Sequence, residues 1–90
     1  NFGPRTSFHE HPDPMWQETN NKLHRTFRFK DFSEAFAFMV RVALLAERKG
    51  HHPDWRNVYN TVEITLCTHD AGDVATDKDR QLARLIDALV

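Results

Sequence analysis

Hydrophobic and polar residues alternate along residues 23–30, as they do on a β-strand with one buried face. Phe27 and Phe29 share a face with Leu23, so we predict that this face is buried. Residues 15–19 form a short strand candidate just before it. The intervening pair, Asn20 and Asn21, suits a tight turn because asparagine tolerates positive φ. These two runs together predict a β-hairpin.

The next segment has the spacing of a long helix. Asp31 and Glu34 match a capping box, in which Asp31 accepts a backbone N–H and Glu34 reaches back to the N-cap. Gly50 is predicted to end the helix. Apolar residues cover more than one face: the predicted stripe is Phe32, Ala35, Phe36, Met39, Val42, Ala43 and Ala46, widened by Phe38, Val40, Leu44 and Leu45. We expect the second apolar side to contact another subunit, the alternative being cover by the N-terminal arm.

The second half of the chain repeats the order of two strands and a helix. Residues 54–59 have the pattern of an extended segment, and residues 61–69 alternate with a buried face of Val62, Ile64 and Leu66. Thr76 and Asp79 predict the capped start of a last helix, whose apolar stripe is Leu82, Leu85, Ile86 and Leu89. The order β-β-α-β-β-α predicts an α+β fold with two layers: a four-stranded antiparallel sheet with the helices packed on one face.

Composition limits the number of domains and the kinds of partner. Residues 1–14 hold three of the four prolines and no periodicity, which predicts an N-terminal arm before one small domain over residues 15–90. A net charge of −1 offers no sign of the clustered basic face that nucleic-acid binding requires. No apolar run approaches the roughly 18 residues of a membrane helix. A lone cysteine, Cys67, fits a reducing compartment; the expected location is the cytoplasm, with the nucleus as the alternative.

Two adjacent histidines follow the end of the long helical pattern. Glu47 precedes His51 by four residues, so the two side chains would share a helix face and the carboxylate would orient that imidazole. Pro53 excludes His52 from the α region, so the neighbouring imidazoles should diverge. Trp55 would supply an apolar wall for a flat heterocycle. Because histidine changes charge near neutral pH, this group predicts proton-transfer chemistry.

Two other interpretations of the histidines stay open at this point. They can be surface or capping groups at a helix C-terminus, where imidazolium is favoured. The nitrogen and oxygen atoms of His51, His52, His69 and Glu47 also suit a zinc site. Adjacent histidines diverge, however, and ligand pairs prefer convergent spacings. We therefore expect no metal. Cys67, predicted to lie in mid-strand, lacks a helix N-terminus that would activate it as a nucleophile.

The combined pattern resembles that of the pterin-4a-carbinolamine dehydratase family, also called 4a-hydroxytetrahydrobiopterin dehydratases. The family pattern is an acidic residue, a His-His-Pro sequence, an aromatic residue, and a later histidine and aspartate; the matching residues are Glu47, His51, His52, Pro53, Trp55, His69 and Asp79. Flanking matches are F-x-F-x-D-F at residues 27–32, N-V-Y-N at residues 57–60 and T-H-D at residues 68–70. The resemblance extends over residues 16–89.

The resemblance implies loss of water from a tetrahydropterin 4a-carbinolamine, giving the quinonoid dihydropterin, in the recycling of tetrahydrobiopterin for aromatic amino-acid hydroxylases. It implies that His51 and His69 are the acid–base pair, that His52 mainly binds substrate, and that Asp79 supports the site from the last helix. No metal or organic cofactor is needed. It also implies homo-oligomers, either dimers or tetramers. Some animal members bind a homeodomain transcription factor, so the alternative function is a non-catalytic dimerisation partner of such a factor.

Overall fold

The computed structural model describes residues 15–90, and the predicted arm over residues 1–14 lies outside the described residues. Within this range the elements are β1 (Gln17–Thr19), β2 (Lys22–Arg28), α1 (Phe32–Lys49), β3 (Asp54–Val58), β4 (Thr61–Leu66) and α2 (Asp77–Asp87), with a 3-10 turn at His69–Ala71. This order confirms the predicted β-β-α-β-β-α arrangement. Neither helix in this part of the chain is long and apolar enough to cross a membrane.

The four strands form one antiparallel sheet in the order β1-β2-β4-β3. Leu23 of β2 lies opposite Leu66 of β4, and Phe27 lies opposite Val62. These four side chains are buried in the same core as residues of α1 and α2, which confirms the two-layer α+β fold with both helices on one face. Asn20–Asn21 forms the first turn, with φ angles of 54° and 63°, as the predicted hairpin requires.

Both ends of α1 have the expected caps, with one difference. Asp31 accepts the backbone N–H of Glu34 at 2.9 Å, as predicted. Glu34 accepts the N–H of Lys30 at 2.8 Å, one residue before the cap, so only half of the predicted capping box is present. Gly50 has a φ of 65° and ends the helix, and the N–H of His51 then returns to the carbonyl of Ala46 at 3.1 Å.

The buried stripe of α1 differs from the predicted one. Phe36 and Ala43 belong to the predicted stripe but are exposed, whereas Phe38 and Leu45 are in the core. Phe38 lies against the rings of Phe27 and Phe29, with centroid distances of 4.8 and 4.9 Å. Because α1 is apolar around most of its circumference, periodicity alone does not identify which side is buried. Contact with the sheet places Phe38 in the core. The opposite side is the exposed apolar face of α1, defined by Phe32, Phe36, Val40 and Leu44.

The segment between β4 and α2 also departs from prediction. β4 ends at Leu66, and the backbone N–H of Thr68 donates to the carbonyl of Val74 at 2.8 Å. That contact closes a loop, so His69 begins a 3-10 turn and does not lie on a strand. The predicted capping box of α2 is confirmed: the N–H of Thr76 donates to Asp79 at 2.8 Å. The loop therefore connects His69, at the start of the 3-10 turn, to Asp79, in the first turn of α2.

Candidate functional site

An open cleft with a volume of about 470 Å³ lies where the α1–β3 connection meets the end of β4. Its lining comes from residues 50–54, Thr65, residues 67–70 and Lys78. His51, His52 and His69 are therefore brought to one cleft, as the sequence predicted. The fourth described histidine, His24, hydrogen-bonds Thr65 and the Thr19 carbonyl and is not part of the lining.

A hydrogen bond to a buried carboxylate holds His51. Its Nε2 lies 2.5 Å from Oδ1 of Asp79, which has no solvent exposure. The other carboxylate oxygen accepts the hydroxyl of Thr68 at 2.7 Å and the backbone N–H of Thr76 at 2.8 Å. Burial raises the pKa of the Asp79 carboxyl, but hydrogen bonds from His51, Thr68 and Thr76 outweigh burial and the pKa is lowered. Asp79 is therefore an anion at neutral pH.

The anionic state of Asp79 fixes the tautomer of His51. A carboxylate can only accept hydrogen bonds, so Nε2 of His51 carries a proton toward Asp79. Nδ1 is then the ring nitrogen that can exchange a proton with a ligand. The His51 side chain is 12% exposed and lines the cleft. The pair thus has the form of an acid–base group with an attached orienting carboxylate.

Glu47 contacts a different histidine from the one predicted. Its Oε1 lies 2.9 Å from Nε2 of His52, and both side chains are exposed. The expected pairing of Glu47 with His51 is wrong because α1 ends at Gly50, whose left-handed backbone turns the chain before His51. Helical i,i+4 spacing therefore does not continue to His51. The adjacent imidazoles bind different carboxylates and diverge, as expected.

His69 has a carboxylate partner that the sequence analysis missed. Its Nδ1 lies 2.6 Å from Oδ1 of Asp73, and its side chain is 77% exposed. Asp73 has a φ of 61°, a conformation that aspartate tolerates better than most residues. The i,i+4 spacing of His69 and Asp73 was the available signal, but it indicates no contact when a strand is predicted to end at His69.

Trp55, Pro53 and Cys67 have contrasting positions. Trp55 lies opposite Ile64 and packs partly buried against the core. Trp55 is not among the residues that line the cleft. Pro53 does line the cleft.

Cys67 lies just beyond β4 rather than in mid-strand. Burial, more than any other influence, raises the pKa of its thiol. A protonated thiol is a poor nucleophile.

Metal-ligand atoms converge at one point among residues 15–90. Atoms of Cys67, His69 and Asp73 lie within 4.8 Å of one another. The alternative zinc set of His51, His52, His69 and Glu47 does not converge in this part of the chain: His51 binds Asp79, and His52 binds Glu47 on the exposed end of α1.

Fold and site together define a small α+β protein with carboxylate-paired histidines in an open cleft. A family model described as pterin 4 alpha carbinolamine dehydratase matches residues 5–89. The chain belongs to the pterin-4a-carbinolamine dehydratase family, which confirms the resemblance noted in the sequence.

Individual relatives agree with this assignment. A protein of Synechococcus sp. (strain WH7803), named "Putative pterin-4-alpha-carbinolamine dehydratase", is 63% identical over 76 residues, which cover 84% of this chain and 81% of that protein. A protein of the same name from Bradyrhizobium sp. (strain ORS 278) is 58% identical over 76 residues, with coverage of 82% and 75%. Both relatives share most of the described domain.

Two solved structures have the same fold. A transcriptional coactivator/pterin dehydratase from Brucella melitensis has a TM-score of 0.78 and 44% identity, covering 84% of this chain and 82% of that chain. A pterin dehydratase-like protein, identified as a RuBisCO assembly factor in the alpha-carboxysome, has a TM-score of 0.72 and 28% identity, with coverage of 83% and 88%. The names of these neighbours include both catalytic and protein-assembly roles.

Proposed function

We propose that the protein dehydrates the 4a-carbinolamine of a tetrahydropterin, 4a-hydroxytetrahydrobiopterin or a close analogue, to the quinonoid dihydropterin. The observation that carries this proposal is the buried Asp79–His51 pair beside His69 in one cleft. Family membership supports the substrate class and the dehydratase reaction. The product is the form from which tetrahydropterin is regenerated, so the activity would serve the recycling of that cofactor.

The reaction requires two proton transfers. The C4a–O bond breaks and the hydroxyl group leaves as water after accepting a proton from a general acid. A general base removes the proton on N5, and the released electron pair forms the C4a=N5 double bond. The two transfers balance the loss of one water molecule. Two imidazoles near the ring perform both steps without a metal or an organic cofactor.

His51 and His69 are the proposed acid–base pair, without a fixed assignment of acid and base. Nδ1 of His51 is available for transfer because Asp79 occupies Nε2. Asp73 gives His69 a comparable carboxylate partner at 2.6 Å. His52, held by Glu47 at the exposed end of α1, is the proposed substrate-binding histidine. The cleft volume of about 470 Å³ lies in the range of small-molecule sites.

A stable oxidised pterin is expected to bind in the cleft. Imidazole NMR resonances of His51, His52 and His69 should shift on addition of the pterin to the full chain. His24, which hydrogen-bonds Thr65 from outside the lining, is the internal control and should not shift. Binding without a shift in any cleft histidine, or no binding at millimolar pterin, contradicts the proposed site.

The exposed apolar face of α1 supports a homo-oligomer. Phe32, Phe36, Val40 and Leu44 are 44–64% exposed along one side of the helix. Phe32 and Phe36 already stack on each other with a centroid distance of 5.6 Å. An apolar helical stripe of this length marks a contact surface, and a second copy would present the same stripe. A dimer and a tetramer can each bury the exposed apolar face of α1 between subunits.

Introducing charge on this face is expected to dissociate the oligomer. The double variant Phe36→Glu/Leu44→Glu should elute as a folded monomer in size-exclusion chromatography with light scattering, because neither side chain is in the core. Gln81→Glu, a matched change at an exposed position of α2, should keep the parent mass. An unchanged mass in the double variant excludes the face as the subunit contact.

The alternative function is a non-catalytic dimerisation partner of a transcription factor. The same apolar face is the observation that favours it, and the names of the two structural neighbours describe a coactivator and an assembly factor. This alternative predicts a specific complex that Phe36→Glu/Leu44→Glu abolishes, together with negligible acceleration of carbinolamine decay by the parent chain.

A further inference from the structure

A thiol, an imidazole and a carboxylate meet at the rim of the cleft. Ligand atoms of Cys67, His69 and Asp73 all lie within 4.8 Å of one another. Cys67 is 7% exposed, whereas His69 and Asp73 are exposed. The cluster therefore has one ligand anchored in the protein and two that solvent can reach. Asp79, the carboxylate that holds His51, is not a member.

Backbone contacts position these three residues. Cys67 directly follows β4 and precedes Thr68, whose N–H donates to the carbonyl of Val74 at 2.8 Å. The carbonyl of Thr68 accepts the N–H of Asp73 at 3.1 Å. The loop is thus closed at both ends. Across one turn, Nδ1 of His69 lies 2.6 Å from Oδ1 of Asp73. The three side chains converge because of the fold.

We propose that Cys67, His69 and Asp73 form a binding site for a thiophilic divalent transition-metal ion of the zinc class. A thiolate with an imidazole favours zinc or cobalt over magnesium or calcium, which prefer oxygen ligands. Three protein ligands leave one tetrahedral position for water from the cleft. On binding, the thiol proton of Cys67 passes to solvent, and no electron is transferred.

Only small movements separate the present positions from tetrahedral coordination. Zinc–sulfur and zinc–nitrogen bond lengths imply ligand separations of roughly 3.3–3.6 Å. Nδ1 of His69 and Oδ1 of Asp73, now 2.6 Å apart, would separate by about 0.7 Å. The other separations in the cluster, which are at most 4.8 Å, would shorten by at most about 1.5 Å. Side-chain rotation of exposed His69 and Asp73 supplies both changes. The carboxylates of Asp54 and Asp70 in the cleft lining add negative charge that favours a cation, and the ammonium group of Lys78 in the same lining partly offsets it.

Metal binding at this site would change the availability of His69. A metal-bound ring nitrogen cannot carry a proton, so occupancy would inhibit any reaction that uses that nitrogen. This consequence rests on the proposed dehydratase function, whereas metal binding itself does not. A binding measurement therefore tests the site independently of catalysis.

The test is titration of the full chain with Co²⁺ and Zn²⁺, in a background of His9→Ala/His11→Ala that removes two further histidines of the sequence. Co²⁺ should produce a thiolate-to-metal charge-transfer absorption band, and Zn²⁺ should displace it at one equivalent. Asp73→Asn, which suits the positive φ at that position, should weaken Zn²⁺ binding at least 10-fold. Cys67→Ser should abolish the band and weaken Zn²⁺ binding by more than the 10–100-fold typical of lost outer-shell partners.

His52→Ala is the matched control, since it removes a cleft histidine that lies outside the cluster. Its Zn²⁺ affinity should equal that of the background chain. Absence of the charge-transfer band in the background chain overturns the proposal. Zn²⁺ affinity in Cys67→Ser and Asp73→Asn that equals the affinity of the background chain also overturns it. Asp73→Asn gives this answer even if Cys67→Ser does not fold.

Discussion

Replacing Asp79 with alanine is expected to lower the free energy of unfolding by about 3–5 kcal/mol. Asp79 is fully buried, and its oxygens accept hydrogen bonds from His51, Thr68 and Thr76. Alanine removes the acceptor, so the backbone N–H of Thr76 and Nε2 of His51 lose their partner, and the Thr68 hydroxyl keeps only its contact with the Thr76 hydroxyl at 2.7 Å. The loss is large for a domain whose total stability is typically about 5–15 kcal/mol. Urea denaturation followed by circular dichroism measures it.

Two further variants make this prediction specific. Asp79→Asn keeps the volume and one acceptor oxygen, so its loss should be smaller than that of Asp79→Ala. Asp77→Ala removes an exposed carboxylate from the same first turn of α2, and its loss should stay below about 1 kcal/mol. Equal effects of Asp77→Ala and Asp79→Ala would show that the buried pair does not stabilise the fold.

The Asp79 contribution should depend on pH in one direction. The pKa of Asp79 is lowered in the folded state, so the folded protein favours the carboxylate more than the unfolded chain does. The contribution is complete above the unfolded carboxyl pKa of about 3.9 and is lost as pH falls through the lower folded value. The part of the stability difference between the parent chain and Asp79→Asn that comes from the Asp79 carboxylate should therefore shrink as pH falls below about 4.

Replacing His51 or His69 with glutamine should lower kcat/KM for carbinolamine dehydration by about 10²–10⁴-fold. Glutamine retains hydrogen bonding but cannot exchange a proton at neutral pH. The rate is measured by ultraviolet absorbance with freshly prepared carbinolamine. His69 is 77% exposed, so His69→Gln should leave the free energy of unfolding within about 0.5 kcal/mol of the parent.

Two controls distinguish proton transfer from other effects of histidine replacement. His24→Gln, which changes a histidine outside the cleft lining, should keep the parent rate. His52→Gln should raise KM more than it lowers kcat, because His52 is assigned to substrate binding. Turnover near the parent rate in both His51→Gln and His69→Gln contradicts the acid–base assignment.

Local sequence signals predicted the parts of the fold that depend on neighbouring residues. The Asn20–Asn21 turn, the glycine that ends α1 and the Thr76–Asp79 capping box each involve only a few consecutive residues. The alternation of apolar and polar residues within β2 and within β4 also identified their buried faces, and Leu23 and Phe27 lie opposite Leu66 and Val62 in the sheet. Such features require no knowledge of tertiary contacts.

Features that depend on tertiary contacts were not predictable in the same way. Phe36 and Phe38 are both phenylalanines on an apolar helix, and only contact with the sheet puts Phe38 in the core. The carboxylate that holds His51 comes from Asp79, 28 residues away, whereas the local candidate Glu47 holds His52. The cleft could therefore be anticipated as a group of histidines, but the pairing of carboxylates within it could not.

The most direct test of the account is the rate of carbinolamine decay with and without the full chain at neutral pH. We expect catalytic amounts of the parent chain to accelerate loss of the freshly prepared 4a-carbinolamine well above its spontaneous decay, with quinonoid dihydropterin as the product. A folded parent chain that leaves the spontaneous rate unchanged would contradict it. In that case, the histidine cleft of His51 and His69 would not be a dehydratase site.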